Sequence, residues 1–517
     1  MLAGKAVRKV AIIGGNRIPF ARSNSAYIDT SNQEMLTAAI DGLVDRFKLH
    51  GEKIDEVAAG AVMKHARDFN LVRESVLGSK LAPETPAYDL QQACGTGLEA
   101  AILVANKIAL GQIDCAIAGG VDTTSDAPLG VNEEARKVFM ALNRAKTNGE
   151  RAKLGLKLLN PKSLMPDIPK NGEPRTGLSM GEHQAITAAE WGISREAQDE
   201  LAWRSHQNLA KSYEEGWQGD LMTPFHGLER DNNMRGDSTI EKLSTLKPVF
   251  GGSEGTMTAA NSTPLTDGAS TVLLASEDWA QERGLPVQAY LTHCEVAAVD
   301  FIGKKEGLLM APAYAVPSML DKVGITLQDF DFYEIHEAFA SQVLSTLKMW
   351  EDETFCKEKL GRDKALGSID RSKLNVKGSS LAAGHPFAAT GARMVTTMAH
   401  ELASTGRETA LLGLVQPWVT ALMRQRLAFE PEPGEPSAPP PWQERLEQMA
   451  RHVETALTGR ELEVVRLMLS GHSSKEVARK LAISAETVKV HRKHVYSKLG
   501  IKSQSELFAL FLQAQGG

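Results

Sequence analysis

Four short stretches of the chain combine residue types suited to nucleophilic and acid–base chemistry. The first is Gln91-Gln92-Ala93-Cys94-Gly95-Thr96-Gly97, where a thiol lies between a strand-like run and an apolar helix. A thiol at a helix N-terminus feels the positive end of the helix dipole, which lowers its pKa and supplies thiolate. A lone cysteine is more often a small buried apolar residue, so this signal needs company. The second stretch, Gly378-Ser379-Ser380-Leu381-Ala382-Ala383-Gly384-His385-Pro386-Phe387-Ala388-Ala389-Thr390-Gly391, sets an imidazole among small residues. Pro386 suits the first turn of the following helix, and His385 is expected to be exposed there. The third, Glu334-Ile335-His336-Glu337-Ala338-Phe339-Ala340, leaves a strand and enters a helix; its bland reading is an ordinary N-terminal turn. The fourth, Ala260 to Ala269, is a polar turn ahead of an apolar strand. A thiol nucleophile with imidazole partners is the pattern of covalent catalysis assisted by a general base.

The elements that must hold these stretches read as alternating strands and helices. Lys9 to Ile13, closed by Gly14-Gly15, is a compact buried strand, and apolar residues from Met35 to Phe47 recur at helical spacing. Strands are expected over Glu56 to Val62, Ala87 to Gln92 and Ile113 to Gly119, with a helix from Cys94 to about Leu110. This alternation predicts an α/β fold with a substantially parallel core. Residues 126–245 break the pattern and read as an inserted, mostly helical lobe. Strands recur near Asp331 to Ile335, Leu374 to Gly378 and Ala410 to Val415. Both α/β stretches follow one plan, strand, small-residue turn with a reactive side chain, helix, which points to an internal duplication.

The length of 517 residues predicts two to four structural units at roughly 100–200 residues each. Apolar content of 42% and charged content of 24% suit a globular protein. Pro431 to Pro441 holds six prolines in eleven positions, a composition that joins neither helix nor sheet and marks a semi-rigid spacer. From Arg445 onward twelve Lys and Arg face seven Asp and Glu, a balance of +5, which leaves −11 for the rest of a chain whose total is −6. A basic tail on an acidic body hints at a polyanionic partner. Four scattered cysteines exclude a disulfide framework, and no CxxC pair suggests zinc or another metal. A reducing, cytoplasmic setting is expected. No apolar run is long enough for a signal-peptide core or a membrane span.

In combination and order, the four motifs resemble the thiolase family, and the resemblance runs from about Lys9 to Leu414. The branch it looks most like is that of the 3-ketoacyl-CoA thiolases of fatty-acid β-oxidation, including the thiolase subunit of trifunctional complexes. That branch has His in His-Glu-Ala-Phe where other thiolases have Asn. The resemblance implies a five-layer α-β-α-β-α sandwich with an inserted helical lobe, and the activity of an acetyl-CoA C-acyltransferase. It implies Cys94 as nucleophile, His385 as general base, and His336 with His385 holding the thioester or enolate oxygen. It places Asn261, Ser262 and Gly384 near substrate, with the pantetheine arm passing the Asn261 to Gly268 turn. Coenzyme A or acyl-CoA would be a substrate, with no permanently bound cofactor. A homodimer or homotetramer is implied, as is a β-oxidation hydratase/dehydrogenase as a candidate partner. Domain expectations are residues 1–125 with 246–284 for the first half, 126–245 for the coenzyme A lobe, 285–430 for the second half, 431–444 for the linker and 445–517 for a further domain.

The family pattern also requires a second cysteine, in a Cys-x-Gly-Gly-Gly-like loop after the last core strand. Here the chain reads Gly413-Leu414-Val415-Gln416-Pro417-Trp418-Val419. Val415 or Trp418, depending on alignment, stands at the cysteine position, and the glycines are gone. Neither side chain can move a proton, and Pro417 has no N–H. Cys294 and Cys356 lie outside any matching motif.

The C-terminal region reads as helices. Thr458 with Glu461 forms a capping box for a helix through Leu469, Ser474 to Ala482 is a second helix, and Ser484 caps a third over Ala485 to Leu499. A fourth runs from Ser503 to about Leu512. Val488, Val495 and Leu499 should face a core, while Lys489, His491, Arg492, Lys493 and Lys498 decorate the third helix. A solvated basic face is the bland reading. Leu457 to about Leu507 resembles the LuxR-type helix-turn-helix domain, which implies double-stranded DNA as partner. By that resemblance Lys489, Val490 and Lys493 face bases and Thr487 and Arg492 lie near phosphates. Three readings follow: an acyltransferase carrying a DNA-binding module, an acyl-CoA-sensing transcriptional regulator on a weakened thiolase domain, and two joined but uncoupled modules.

Overall fold

The computed structural model describes residues 7–414, 419–424, 458–469, 477–478, 480–481, 483–499, 501 and 507. The chain forms two compact units, Met1–Leu427 and Ala428–Gly517. The proline-rich spacer, the Val415–Trp418 segment and most of the second and fourth C-terminal helices expected from sequence lie outside the described residues.

The large unit is built on one mixed sheet. Its strands run, in spatial order, Phe332–Ile335, Thr409–Leu414, Val419–Arg424, Ala289–Val296, Val10–Arg17, Thr266–Ser276, Cys115–Asp122, Glu56–Ala59 and Ala87–Asp89, with Ala21–Arg22 pairing off the path. The duplication is visible in this order. Numbered within its own half, each set of strands reads 3-2-4-5-1. In the second half, Leu374 supplies the third strand as a single parallel bridge to Tyr333. In both halves strand 2 runs parallel to its two neighbours, and strand 5 runs antiparallel to strands 4 and 1. The two first strands pair antiparallel, Ala11 opposite Tyr290, and join the halves into one sheet. The substantially parallel core expected from sequence is present in each half, with one reversed strand that makes the sheet mixed. Thr266–Ser276 and Val419–Arg424 run antiparallel to both their neighbours, so four strands of each half point one way and strand 5 opposes them.

The layers follow from which apolar faces meet. Asn32–Phe47 begins at a reciprocal box, Ser31 Oγ accepting the Glu34 N–H and the Glu34 carboxylate accepting the Ser31 N–H. It turns Met35, Leu36, Ile40, Leu43 and Val44 onto one side of the first half-sheet. Pro312–Val323 and Ala340–Glu351 cover the second half through Val316, Leu320, Val343 and Trp350. Between the half-sheets lie Thr96–Ala109 and Thr390–Thr405, whose Leu98, Ile102, Val104, Met394, Val395 and Met398 share one core with Ile12, Leu274 and Leu412. That is the five-layer sandwich. The two central helices touch at their N-terminal ends. A Cβ on Gly391 would stand 2.2 Å from Leu98 N, and one on Gly97 would stand 2.5 Å from Ala388 O. Glycine at both positions is a condition of that contact.

Between Asp122 and Thr266 the chain forms helices Glu133–Arg144, Asn148–Gly155, Met180–Glu190, Arg195–Glu214 and Ile240–Ser244. This region is pinned to the first strand by a buried ion pair, Arg17 to Asp231 at 2.6 and 2.8 Å, to which Tyr213 also donates at 2.8 Å. In the small unit, Gly459–Leu469 and Ala485–Leu499 pack through Val464, Val465, Met468, Val488, Val495 and Leu499. Among the described residues no helix is long and apolar enough to cross a membrane.

Candidate functional site

Cys94 sits in a strained turn. Ala93 adopts φ 44°, a left-handed conformation that costs a residue with a Cβ roughly 1–2 kcal/mol. Thr96 closes the turn from both sides: its Oγ1 accepts the Gln92 N–H at 2.8 Å and donates to Ala93 O at 2.7 Å. The thiol is half-buried at the mouth of Thr96–Ala109. The helix dipole does not decide its state. Burial pushes the Cys94 thiol up to about 12, and the negative charge of Asp122 adds to the rise. The resting group is therefore a thiol, and the sequence-based expectation of a lowered pKa is corrected.

Asp122 ends the Cys115–Asp122 strand, and its carboxylate accepts N–H groups from Val62 at 3.0 Å, Met63 at 2.8 Å and Ala388 at 2.9 Å. Burial still lifts it to about 7 against those donors. It thus ties the surroundings of Cys94 to the turn that follows His385. His385 is only 7% exposed, not exposed as expected from sequence. The helix after it starts at Thr390, beyond a short 3₁₀ turn over Phe387–Ala389, so Pro386 is not in its first turn. His385 Nδ1 lies 2.6 Å from Thr390 Oγ1, and the His385 N–H donates to Thr266 Oγ1 at 3.1 Å.

His336, fully buried just past the Phe332–Ile335 strand, stacks beside His385 with ring centroids 4.2 Å apart. His336 Nδ1 is 2.8 Å from Ser380 Oγ. The Nε2 atoms of both histidines are buried and have no partner among the described residues. Burial, with the Arg393 charge behind it, lowers His385 to about 3, and burial with His385 and Arg393 lowers His336 well below the usual histidine range. The pair is neutral, which is the state a general base and a hydrogen-bond donor require.

The remaining motifs are knitted onto this pair. Glu337 accepts from Ser205 Oγ at 2.7 Å, Asn375 Nδ2 at 2.6 Å and Leu381 N at 3.1 Å, so it braces the His336 loop. Thr263 bonds the same loop through its N–H to Ala338 O and its hydroxyl to Glu337 O. Asn261 is fully committed: its Nδ2 donates to Asp199 Oδ1 at 2.9 Å and its Oδ1 accepts the Thr258 N–H at 2.7 Å. Its side chain holds the turn and has no donor left for a ligand. Ser262 Oγ, by contrast, is buried without a hydrogen-bond partner among the described residues. Gly384 takes φ 105°, and a Cβ there would meet Thr266 Cγ2 at 2.6 Å. Cys294 lines a cleft with Glu99, Ile102 and Asn106 along the flank of the nucleophile helix, and Cys356 points at the carbonyls of Met349 and Trp350. Neither faces the histidine pair. Asp122, Ser380, Thr390 and Arg393 were not singled out from the sequence. Their partners lie on other elements, and only the small-residue density around His385 signals close packing.

In the small unit Val488, Val495 and Leu499 are buried, while Val490 is 51% exposed and Lys489 and Lys493 are also exposed. Lys489 pairs with Glu486 at 2.6 Å, and Thr487 shares the helix cap with Ser484. Arg492 lies over the Tyr496 ring and donates to its hydroxyl at 3.1 Å. Lys498 is structural, bonded to Glu461 at 2.7 Å. Among the described residues no cluster of His, Cys, Asp and Glu is placed to hold a metal.

A doubled α/β sandwich with a thiol at one central helix mouth and paired neutral imidazoles at the other defines a thiol-dependent acyltransferase. The chain belongs to the thiolase family: residues 10–278 match its N-terminal domain and 285–417 its C-terminal domain. Residues 455–511 match the luxR family of bacterial regulatory proteins. The chain is 41% identical over 404 residues to a 3-ketoacyl-CoA thiolase of Yersinia pestis, covering 77% of this chain and 92% of that protein. Among solved structures it resembles the Bacillus anthracis acetyl-CoA acetyltransferase (28% identity, TM-score 0.66, 81% of this chain and 99% of that one). It also resembles human mitochondrial 3-ketoacyl-CoA thiolase in complex with CoA (25% identity, TM-score 0.65, 81% and 98%).

Proposed function

We propose that the large unit takes an acyl group from a 3-ketoacyl-CoA or acyl-CoA onto Cys94 and passes it to or from coenzyme A, in a cytoplasmic homo-oligomer. The observation that carries this is the adjacent His336 and His385 rings, whose buried Nε2 atoms have no partner among the described residues, with the turn after His385 packed through Ala388 O against Gly97 in the helix that Cys94 precedes. In acylation by an acyl-CoA, His385 accepts the thiol proton as Cys94 Sγ bonds the thioester carbon. The carbon–sulfur bond to coenzyme A breaks, and the proton leaves with the coenzyme A thiolate. His336 stabilises the intervening oxyanion. Ser262 and the turn containing Gly384 would flank the pantetheine arm, and residues 126–245 would supply the coenzyme A cleft.

Thiolysis of a 3-ketoacyl-CoA asks for more. Cleavage of the carbon–carbon bond expels the enolate of acetyl-CoA, whose α-carbon must gain a proton. The family uses its second cysteine there, and this chain has Val415 to Trp418 instead. Acylation of Cys94 should proceed while thiolysis is slowed by about 10²–10⁴-fold, the usual worth of a general acid. A spectrophotometric thiolysis assay with acetoacetyl-CoA and a longer 3-ketoacyl-CoA, with Cys94→Ala as control and mass detection of the acyl-enzyme, tests both parts. Thiolysis at the rate of an intact thiolase would overturn the second. Absence of any Cys94 adduct would overturn the first.

The exposed Lys489, Val490 and Lys493 favour a second function, binding of double-stranded DNA by the small unit, with two copies on half-sites about one turn apart. The alternative to an enzyme with a DNA-binding module is an acyl-CoA-responsive regulator, favoured by the missing cysteine loop. Gel retardation with and without acyl-CoA separates them: a shift that depends on ligand supports the regulator.

A further inference from the structure

We infer that Arg393 and Ser380 are positioning residues that lock His336 in the Nε2–H tautomer, so that it serves the acyl-transfer site as a fixed donor while His385 remains free to act as base. The inference rests on the thiolase-type reading of the site and adds residues that reading does not contain. A guanidinium has donors and no acceptor. Arg393 Nη2 donates to Ser380 Oγ at 3.1 Å and to Ser379 Oγ at 3.1 Å, and Arg393 Nη1 pairs with Glu334. Ser379 in turn donates to Glu334 Oε1 at 2.8 Å. The guanidinium is thus held on three sides, and it occupies a lone pair of Ser380.

Ser380 is fully buried, and among the described residues its oxygen has two partners, Arg393 and His336 Nδ1. Its proton has one acceptor to go to, which is His336 Nδ1. A protonated Nδ1 would face a hydroxyl already polarised by a cation and would leave the serine proton buried without a partner, a loss of roughly 1–3 kcal/mol. The ring proton therefore sits on Nε2, the atom that has no partner among the described residues.

His385 differs in one respect. Its Nδ1 meets Thr390 Oγ1, and no cation bonds that hydroxyl among the described residues. Thr390 can accept from Nδ1–H, which leaves Nε2 as a lone pair for the Cys94 proton, and it goes on accepting from Nδ1–H in the imidazolium that forms. Two chemically identical rings 4.2 Å apart are given different duties by what stands behind them.

The test begins with the unmodified full chain. With ¹⁵N-histidine labelling, and His336→Asn and His385→Asn spectra for assignment, His336 should show a pyridine-type Nδ1 and a pyrrole-type Nε2. A protonated Nδ1 at His336 overturns the inference, whatever the activity. Next, Ser380→Ala should slow formation of the Cys94 acyl-enzyme from acetyl-CoA by about 10–100-fold, and Ser380→Thr should restore most of it. In the His336→Asn background, whose amide donates without a tautomer to choose, Ser380→Ala should change the rate less than about twofold. Equal slowing in both backgrounds overturns the inference. If the unmodified protein forms no acyl-enzyme, the functional reading fails while the nitrogen spectra still decide the tautomer.

Discussion

Replacing Gly391 by alanine should damage chemistry far more than stability. The new methyl would stand 2.2 Å from Leu98 N and 2.9 Å from Gly97 C, both backbone atoms of the facing helix. Ordinary contact needs about 3.4–4 Å, so the helix mouths must part or slide by about 1 Å. Overpacking of this kind costs about 1–3 kcal/mol. For a unit ending at Leu427 the unfolding entropy is of order 0.9 kcal/mol per kelvin, so the melting temperature falls by only about 1–3 °C. The same displacement acts on Cys94 at one mouth and His385 at the other, and a 1 Å error in a reacting pair costs about 10²-fold in rate. Stopped acylation of Cys94 by acetyl-CoA, read by intact mass, should slow by about that factor. Gly149→Ala is the control, because nothing lies within 4 Å of a Cβ there. Acylation at the unmodified rate in Gly391→Ala would show that the helix contact does not set the geometry of the site.

Cys94 in the free protein should alkylate slowly with iodoacetamide at pH 7.5, with the rate still rising above pH 9, and Asp122→Asn should speed it by removing the charge that raises the thiol. A plateau below pH 8 would contradict the resting-thiol assignment. Thr390→Val should lower the acylation rate by about 10–100-fold with little change in KM, because the His385 ring loses the acceptor that holds its Nδ1–H and stabilises the imidazolium. In the small unit, burial alone would raise Glu461, but the Lys498 ammonium and the Thr458 donors outweigh it and hold the carboxyl at about 2. Its contribution to stability is therefore complete above the ordinary carboxylate range and is lost as pH falls from about 4.5 through 2; Glu461→Gln should abolish that dependence in a pH series of melts. Lys493→Ala should weaken binding to duplexes of any sequence less steeply with salt, reducing the slope by about one if it meets a phosphate. An unchanged slope with altered sequence preference would instead assign it to a base edge, as the family resemblance implies.

Local signals carried well from sequence to structure. The apolar spacing from Met35 to Phe47 marked one helix, Ser484 marked the start of another, and Val488, Val495 and Leu499 fell on the buried face. What failed was long-range. Thr266–Ser276 is buried on both faces, so its residues carry no direction, and nothing local shows that it runs antiparallel to Cys115–Asp122. Small residues around His385 were legible, but they bury the ring instead of exposing it, because Ala388 and Gly391 let the facing helix approach. The state of Cys94 depends on Asp122, and that of His336 on Arg393, 57 positions further along the chain. A dipole can be read from one segment; desolvation and a distant charge cannot.

The antiparallel seam between Val10–Arg17 and Ala289–Val296 relates the two similar halves, and the reactive turns meet where the central helices approach at their N-terminal ends. Any feature present in both copies is delivered there twice. An ancestor with identical copies would have faced like with like, two thiols or two imidazoles. Divergence of one turn from the other was then enough to make an unlike couple without moving the backbone. Later change could act on the identity of side chains at a meeting point that symmetry had already fixed.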